Sequence, residues 1–378
     1  MHRKIVYLLS TIILLTGCLQ QKPLEELGLI TAVGYDKEED LIRGSIVYYE
    51  FDPLHPNNTK MVSSFANTSK GVRQKENLTS SRKLVSGQLR VAVYGQKLAE
   101  EGIISYIDTL SRDSEVGTMS YLAITNNTAY ELFTQSQESE DISNAGTFMY
   151  DLIRQNVESE SLISPTLHEF MQCFYSEGMD PVLPYIQFMD DTIAVKGTAL
   201  LKDDRMIATI DTKKSFYLKL LMNPFQAGGI ELSLPTVAIE KYILDKEKKS
   251  DEVETVYVSL DHLESEAEIA LNIEEVPTYT ISVDILTRMQ EITEDYDLGN
   301  PEALKAVEKA IAKEMKKSIE GLIKECQELG VDPVGFGNRY RAKVGYRNFS
   351  KEEWREIYSK AKFNVSVKTV VLRTGVMD

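Results

Sequence analysis

Hydrophobic and polar positions divide the chain into an apolar leader and a long body of short alternating segments. Ile5 to Leu15 is apolar apart from Ser10 and Thr11. As a helix at ~1.5 Å per residue this run reaches about 16 Å, roughly half a bilayer core. Behind the basic His2-Arg3-Lys4 it reads as the h-region of a signal peptide, not a spanning helix. In the body, Leu29 to Tyr35 and Ile42 to Phe51 read as strands joined by the charged turn Asp36 to Asp40, a hairpin signature. His55 to Asn77 turns polar and reads as a long surface loop, followed by a helical stretch from Leu78 to Ser86. Leu89 to Tyr94 (strand), Lys97 to Leu110 (helix) and Met119 to Thr125 (strand) suggest a βαβ-type unit.

Gln135 to Ser164 is acidic and serine-rich, with a helical stretch at Phe148 to Val157, and Pro181 and Pro184 punctuate the chain beyond it. A second hairpin, Ile193 to Leu201 and Met206 to Ile210, turns on Lys202 to Arg205. Val253 to Leu260 and Tyr279 to Leu286 read as strands, the latter with Tyr279, Ile281, Val283 and Ile285 on one face. Asn300 caps a helix with Pro301 at its first position. Its apolar positions Leu304, Val307, Ile311, Met315, Ile319, Leu322, Cys326 and Leu329 recur every three or four residues, and Gly330 ends it. Packing that stripe on a sheet is the simplest way to bury it, a partner-docking face being the alternative. Phe363 to Arg373 is a final β-branched strand. The expected fold is α+β, in two to three mixed domains. Residues 1–17 form a leader that is removed, 18–189 an N-terminal α+β region of one or two subdomains, and 190–378 a C-terminal α+β domain with a β-sheet and one long amphipathic helix.

The leader runs directly into Leu15-Thr16-Gly17-Cys18, which resembles the lipobox of bacterial lipoproteins. That resemblance implies a diacylglyceryl thioether on Cys18 and cleavage before it, and two acyl chains anchor a protein stably. Charge bears on solubility and on spacing from the membrane. Asp and Glu outnumber Lys and Arg by 58 to 42, a net charge of −16. So acidic a body is a poor nucleic-acid binder and is repelled by anionic headgroups. Besides Cys18 the cysteines are Cys173 and Cys326. An exported protein can hold a Cys173–Cys326 bridge, but both positions read as small buried hydrophobes.

Candidate chemistry is sparse. The histidines His2, His55, His168 and His262 have no metal-ligand partner three or four residues away, and His168-Glu169 lacks the second histidine of a zinc-protease helix. Gly335-Phe336-Gly337 lacks the third glycine or the Lys-Ser/Thr of a nucleotide loop. Ser80-x-x-Lys83 matches a penicillin-binding nucleophile motif, but no Lys-Thr-Gly accompanies it. The sequence therefore points to no enzyme, no metal and no cofactor.

Several blocks, in order, resemble the Ger(x)C spore germination lipoproteins, the C subunits of nutrient germinant receptors. They are Glu26 to Asp36; Gly87 to Gly95 with Ala99 to Gly102 and Arg112-Asp113; Lys196 to Ala199 with Lys202 to Asp204; and Asp332 to Gly337 with Lys368 to Gly375. Leu19-Gln20, Gln88 and Leu201 depart from the family's usual Trp-Asp pair, histidine and aromatic, which marks a divergent member. The resemblance implies a lipid-anchored, non-catalytic accessory subunit needed for germination in response to small nutrients. Its implied partners are two integral membrane proteins, the A and B subunits, in the spore inner membrane, with the folded body on the outer, non-cytoplasmic side. A solute-binding lipoprotein of an import system is the alternative. It would need two similar α/β lobes around a cleft, and strands and helices here do not alternate so regularly.

Overall fold

The computed structural model describes residues 23–51, 59–244 and 255–372, apart from the side chain of His262. Two sheets organise the chain. The first is nine-stranded and mixed. Strands β1 (Leu27–Glu38), β5 (Val91–Gly95), β6 (Tyr121–Thr125) and β7 (Val182–Met189) are its parallel centre. On one side β2 (Leu41–Glu50) and β3 (Thr59–Ala66) extend it antiparallel. On the other, β8 (Thr192–Lys202) and β9 (Arg205–Asp211) do the same. The short β4 (Lys83–Val85) runs beside the start of β1.

The central strands are apolar on both faces because helices cover both. In β5, Val91 and Val93 point one way and Ala92 and Tyr94 the other, all fully buried. One face meets α2 (Gln96–Glu101), α3 (Ile104–Ser111) and α6 (Leu167–Phe174) through Leu98, Ile107 and Phe170. The other meets α4 (Ala129–Glu138) and α5 (Ala145–Glu158) through Phe133 and Met149. Close packing of α4 explains Gly34, where a Cβ would lie 2.6 Å from that of Ala129. Asp36, two residues on, accepts hydrogen bonds from the N–H groups of Ala129 (2.6 Å) and Tyr130 (3.0 Å), so the strand end caps the helix.

Three expectations for this half are corrected. The stretch read as a loop from His55 to Asn77 holds β3 and α1 (Ser69–Thr79), while its residues up to Asn58 lie outside the described ones. Composition concealed both elements, since β3 is a partly exposed edge strand and α1 buries only Val72 and Glu76. The helix expected over Leu78 to Ser86 is instead the end of α1 and then β4. The single helix expected over Lys97 to Leu110 is broken into α2 and α3 at Gly102, whose φ of 122° an L side chain rarely adopts. The parallel β5–helix–β6 unit is present. At Asp190–Asp191, both at positive φ, β7 turns into β8, so strands from either side of residue 190 share one sheet.

The second sheet has the order β10 (Ile230–Pro235), β11 (Thr255–Asn272), β12 (Thr278–Ile292), β13 (Lys362–Leu372). Between β12 and β13, which pair in parallel, run α8 (Pro301–Leu329), α9 (Phe336–Val344) and α10 (Lys351–Tyr358). Asn300 caps α8 by accepting from the Glu302 N–H, and Gly330 closes it in a left-handed conformation at φ 67°. Val307, Ile311, Met315, Ile319 and Leu322 on α8 are buried against Ile281, Val283 and Ile285 of β12. Strand β11 runs well past the end expected at Leu260, its register shifting twice between Ser259 and Glu264.

Helix α7 (Thr212–Met222) joins the two sheets and was not apparent in the sequence. Every residue from Ser215 to Leu221 is buried, Lys219 included, so no apolar stripe stands against a polar face to reveal a helical period. The helix packs on α8 and on β8, β9 and β11, and its core is continuous with Leu200 and Ile210 of the first sheet. Leu220→Ala therefore opens a cavity between the sheets. It should cost roughly 2–5 kcal/mol, read as a lower midpoint in urea unfolding; an unchanged midpoint would contradict this placement of α7.

Candidate functional site

The residues that carry chemistry converge on the joint between the two sheets, and the β8–β9 turn starts it. Asp204 in this turn serves α3. Its carbonyl accepts from the Ile103 N–H at 3.1 Å and its carboxylate from the Ile104 N–H at 3.0 Å. Its neighbour Asp203, at φ 59°, reaches the C-terminal helices instead. Its two carboxylate oxygens lie 2.6 Å from Lys351 Nζ and 2.8 Å from Arg355 Nη2, both on α10. Partial burial pushes the Asp203 carboxyl up, but the hydrogen bonds from Lys351 and Arg355 outweigh it and hold the group below its ordinary range.

Asp180, just before β7, completes the joint with Asp332, just after α8. The Asp180 N–H donates to the Asp332 carbonyl, and the Asp332 N–H donates back to Asp180 Oδ2, each at 2.9 Å. The other oxygen of Asp180 accepts from the Asp203 N–H at 3.1 Å and lies 3.5 Å from Lys351 Nζ. The Asp332 carboxylate is enclosed by four donors. Gly335 and Phe336 N–H reach Oδ1 at 2.9 and 3.1 Å, while Gly337 N–H and Trp354 Nε1 reach Oδ2 at 2.8 and 3.1 Å. Burial still pushes this carboxyl up to about 7, against the pull of those N–H groups. Glycine is needed where the layers touch. A Cβ on Gly178 would lie 2.5 Å from the Asn338 nitrogen, and one on Gly337 would lie 2.6 Å from Trp354 Nε1.

The arrangement disposes of the sequence motifs one by one. The Gly335-Phe336-Gly337 amides, which open a helix and could have cradled a phosphate, already serve Asp332. His168 is exposed, and Glu169 closes a capping box with Thr166 at the start of α6. Ser80 Oγ accepts from the Arg82 N–H and approaches the Tyr48 hydroxyl, and Lys83 is exposed in β4. Cys173 and Cys326 are free thiols. Burial pushes them up to about 11 and about 12, so both are inert at neutral pH. Cys18, His2, His55 and the closing Arg373-Thr374-Gly375 lie outside the described residues. Among the described residues no group of three or more His, Cys, Asp or Glu could hold a metal ion, and no helix is long and apolar enough to cross a membrane.

Sequence reading missed Asp180, Lys351, Trp354 and Arg355. A signal for the last three was present: Ser350-Lys351-Glu352-Glu353 has the spacing of a helix start, and Ser350 does cap α10. Trp354, the single tryptophan, sits within that helix.

Asp332→Asn replaces an acceptor with a donor facing Gly337 N–H and Trp354 Nε1. It should cost about 1–3 kcal/mol. The pH dependence has a definite sign. The unfolded carboxyl titrates near pH 4 and the folded one near 7, so the folded state binds more protons between those values. Asp332 thus favours folding fully below about pH 4, and that contribution is lost as pH rises through about 7. The stability gap between wild type and Asp332→Asn should therefore narrow from pH 5 to pH 8 in thermal melts. A gap that widens would contradict it.

The comparisons with known proteins match both sides of this joint. A family model described as the spore germination protein N-terminal domain matches residues 20–188. One described as spore germination B3/GerAC like, C-terminal, matches residues 196–375. The chain is 26% identical to spore germination protein GerQC of Bacillus cereus, over 100% of both chains. It is 23% identical to spore germination protein KC of Bacillus subtilis (strain 168), over 99% of this chain and 96% of that one. The crystal structure of the GerBC protein has the same fold, with a TM-score of 0.54 and 17% identity over 90% of this chain and 97% of that one. The two matched regions meet at the β7–β8 turn and between them span the folded body, and the chain belongs to the Ger(x)C (GerAC-like) family of spore germination proteins.

Proposed function

We propose that the protein is a lipid-anchored, non-catalytic accessory subunit of a spore nutrient germinant receptor. It is held at the outer face of the spore inner membrane by a diacylglyceryl group on Cys18, with the integral A and B subunits as partners. The observation that carries this reading is the match of both family regions, in order, along residues 20–375. The fold supports a role in holding or transmitting rather than in chemistry. Glu169 serves a capping box and the Gly335 to Gly337 amides serve Asp332, and the charged cluster of Asp203, Lys351 and Arg355 joins two structural regions.

A pull-down of the tagged protein from detergent-solubilised spore membranes tests the proposal, with Cys18→Ala as the paired variant. Two polytopic membrane proteins should accompany the wild type and be reduced several-fold with the variant. Recovery alone, or with an ATPase and a permease, would instead favour a solute-binding lipoprotein of an import system.

A further inference from the structure

A second polar interior lies in the N-terminal region, away from the joint, and it is left unsatisfied. Between α1 and α3, over β1 and β2, is a cavity of about 250 Å³. By the volume of liquid water that is space for on the order of eight waters, or a molecule with a similar number of non-hydrogen atoms. Glu76 of α1 lines it and is completely buried, and neither of its carboxylate oxygens has a hydrogen-bond partner among the described residues. A buried carboxyl with no donor is costly, and native interiors seldom leave one so.

The other charged groups around the cavity are already engaged. Lys70 of α1 pairs with Asp113, beyond the end of α3, at 2.8 Å on the exposed rim. Arg73 Nη2 donates to the Leu84 carbonyl at 3.0 Å and to Ser86 Oγ at 3.3 Å. Glu115 accepts from the Ser86 N–H at 3.2 Å. From β1, Tyr35 is the ionisable group beside Glu76. Among the described residues none complements Glu76, so a complement must bring donors from elsewhere. A metal ion is a poor fit, because no cluster of three or more ligating side chains exists here among the described residues.

We infer that this cavity is a binding site for a small primary ammonium compound, whose –NH₃⁺ group pairs with Glu76. The ammonium supplies both the positive charge and the three donors that a buried carboxylate requires. Burial pushes the Glu76 carboxyl up to about 8, with Arg73 pulling the other way. Binding R–NH₃⁺ near neutral pH thus converts the protonated carboxyl into a carboxylate–ammonium pair, and the displaced proton passes to solvent.

The test uses the whole folded chain and ethanolamine as the probe, in titration calorimetry and thermal melts. Two controls separate charge from donors: tetramethylammonium has the charge without N–H groups, and ethylene glycol has donors without the charge. Ethanolamine should raise the melting temperature and release close to one proton per molecule bound at pH 6.5, read from two buffers of different ionisation enthalpy. Glu76→Gln, which keeps shape but not charge, should weaken binding at least tenfold. Thr109→Phe, which fills the cavity from the partly exposed side of α3, should do the same without touching Glu76. No response to ethanolamine would overturn the inference, as would an equal response to tetramethylammonium, ethylene glycol or magnesium. Unaltered binding in both variants would overturn it too.

Discussion

The reciprocal pairing of Asp180 with Asp332 is the contact on which the rest of the structure depends. The two residues are 152 positions apart, one ahead of β7 and the other behind α8, and each donates its N–H to the other. The Asp332 carboxylate is buried, so it is tolerable only with its donors in place. Those donors come from two separate elements, the first turn of α9 and Trp354 on α10. The Asp180 carboxylate in turn accepts from the N–H groups of Asp332 and Asp203 and lies near Lys351, so the two buried charges are satisfied together only when the C-terminal helices and the segment before β7 have assembled. A polar node of this kind specifies one arrangement of the two sheets, where apolar contact alone would accept several.

The recurring blocks of the sequence acquire a shared physical meaning at this joint. Gly102 breaks the helix so that Ile103 and Ile104 can meet Asp204 of the β8–β9 turn. Asp203 in the same turn holds Lys351 and Arg355 of α10, and the Asp332 block wraps its own carboxylate. The first block works elsewhere: Gly34 admits α4 against β1, and Asp36 caps it. Such residues hold the joint and cap the helices.

Two of the buried carboxyls, Asp332 and Glu76, stand in opposite circumstances. Asp332 accepts four hydrogen bonds from its own chain, whereas Glu76 receives none. Both are raised by burial, yet only the first has its partners built into the fold. That difference separates a side chain that organises structure from one with capacity to spare for a ligand.

The sequence by itself determined the elements whose pattern is local. The long helix is bounded by Asn300-Pro301 and Gly330, because caps act over a few residues. The hairpin at Lys202 to Arg205 and the alternation of Tyr279 to Ile285 are legible for the same reason. Local pattern failed where burial was nearly complete or nearly absent: α7 buries apolar and polar positions together, Ser215 and Lys219 among them, and β3 and α1 are mostly polar. Only the tertiary structure decided that Asp180, Asp203, Asp332 and Arg355 form one node, and that Glu76 lines a cavity with no partner. Those are relations between residues up to 152 positions apart, and no periodicity in the chain records which distant donor a buried carboxylate will find.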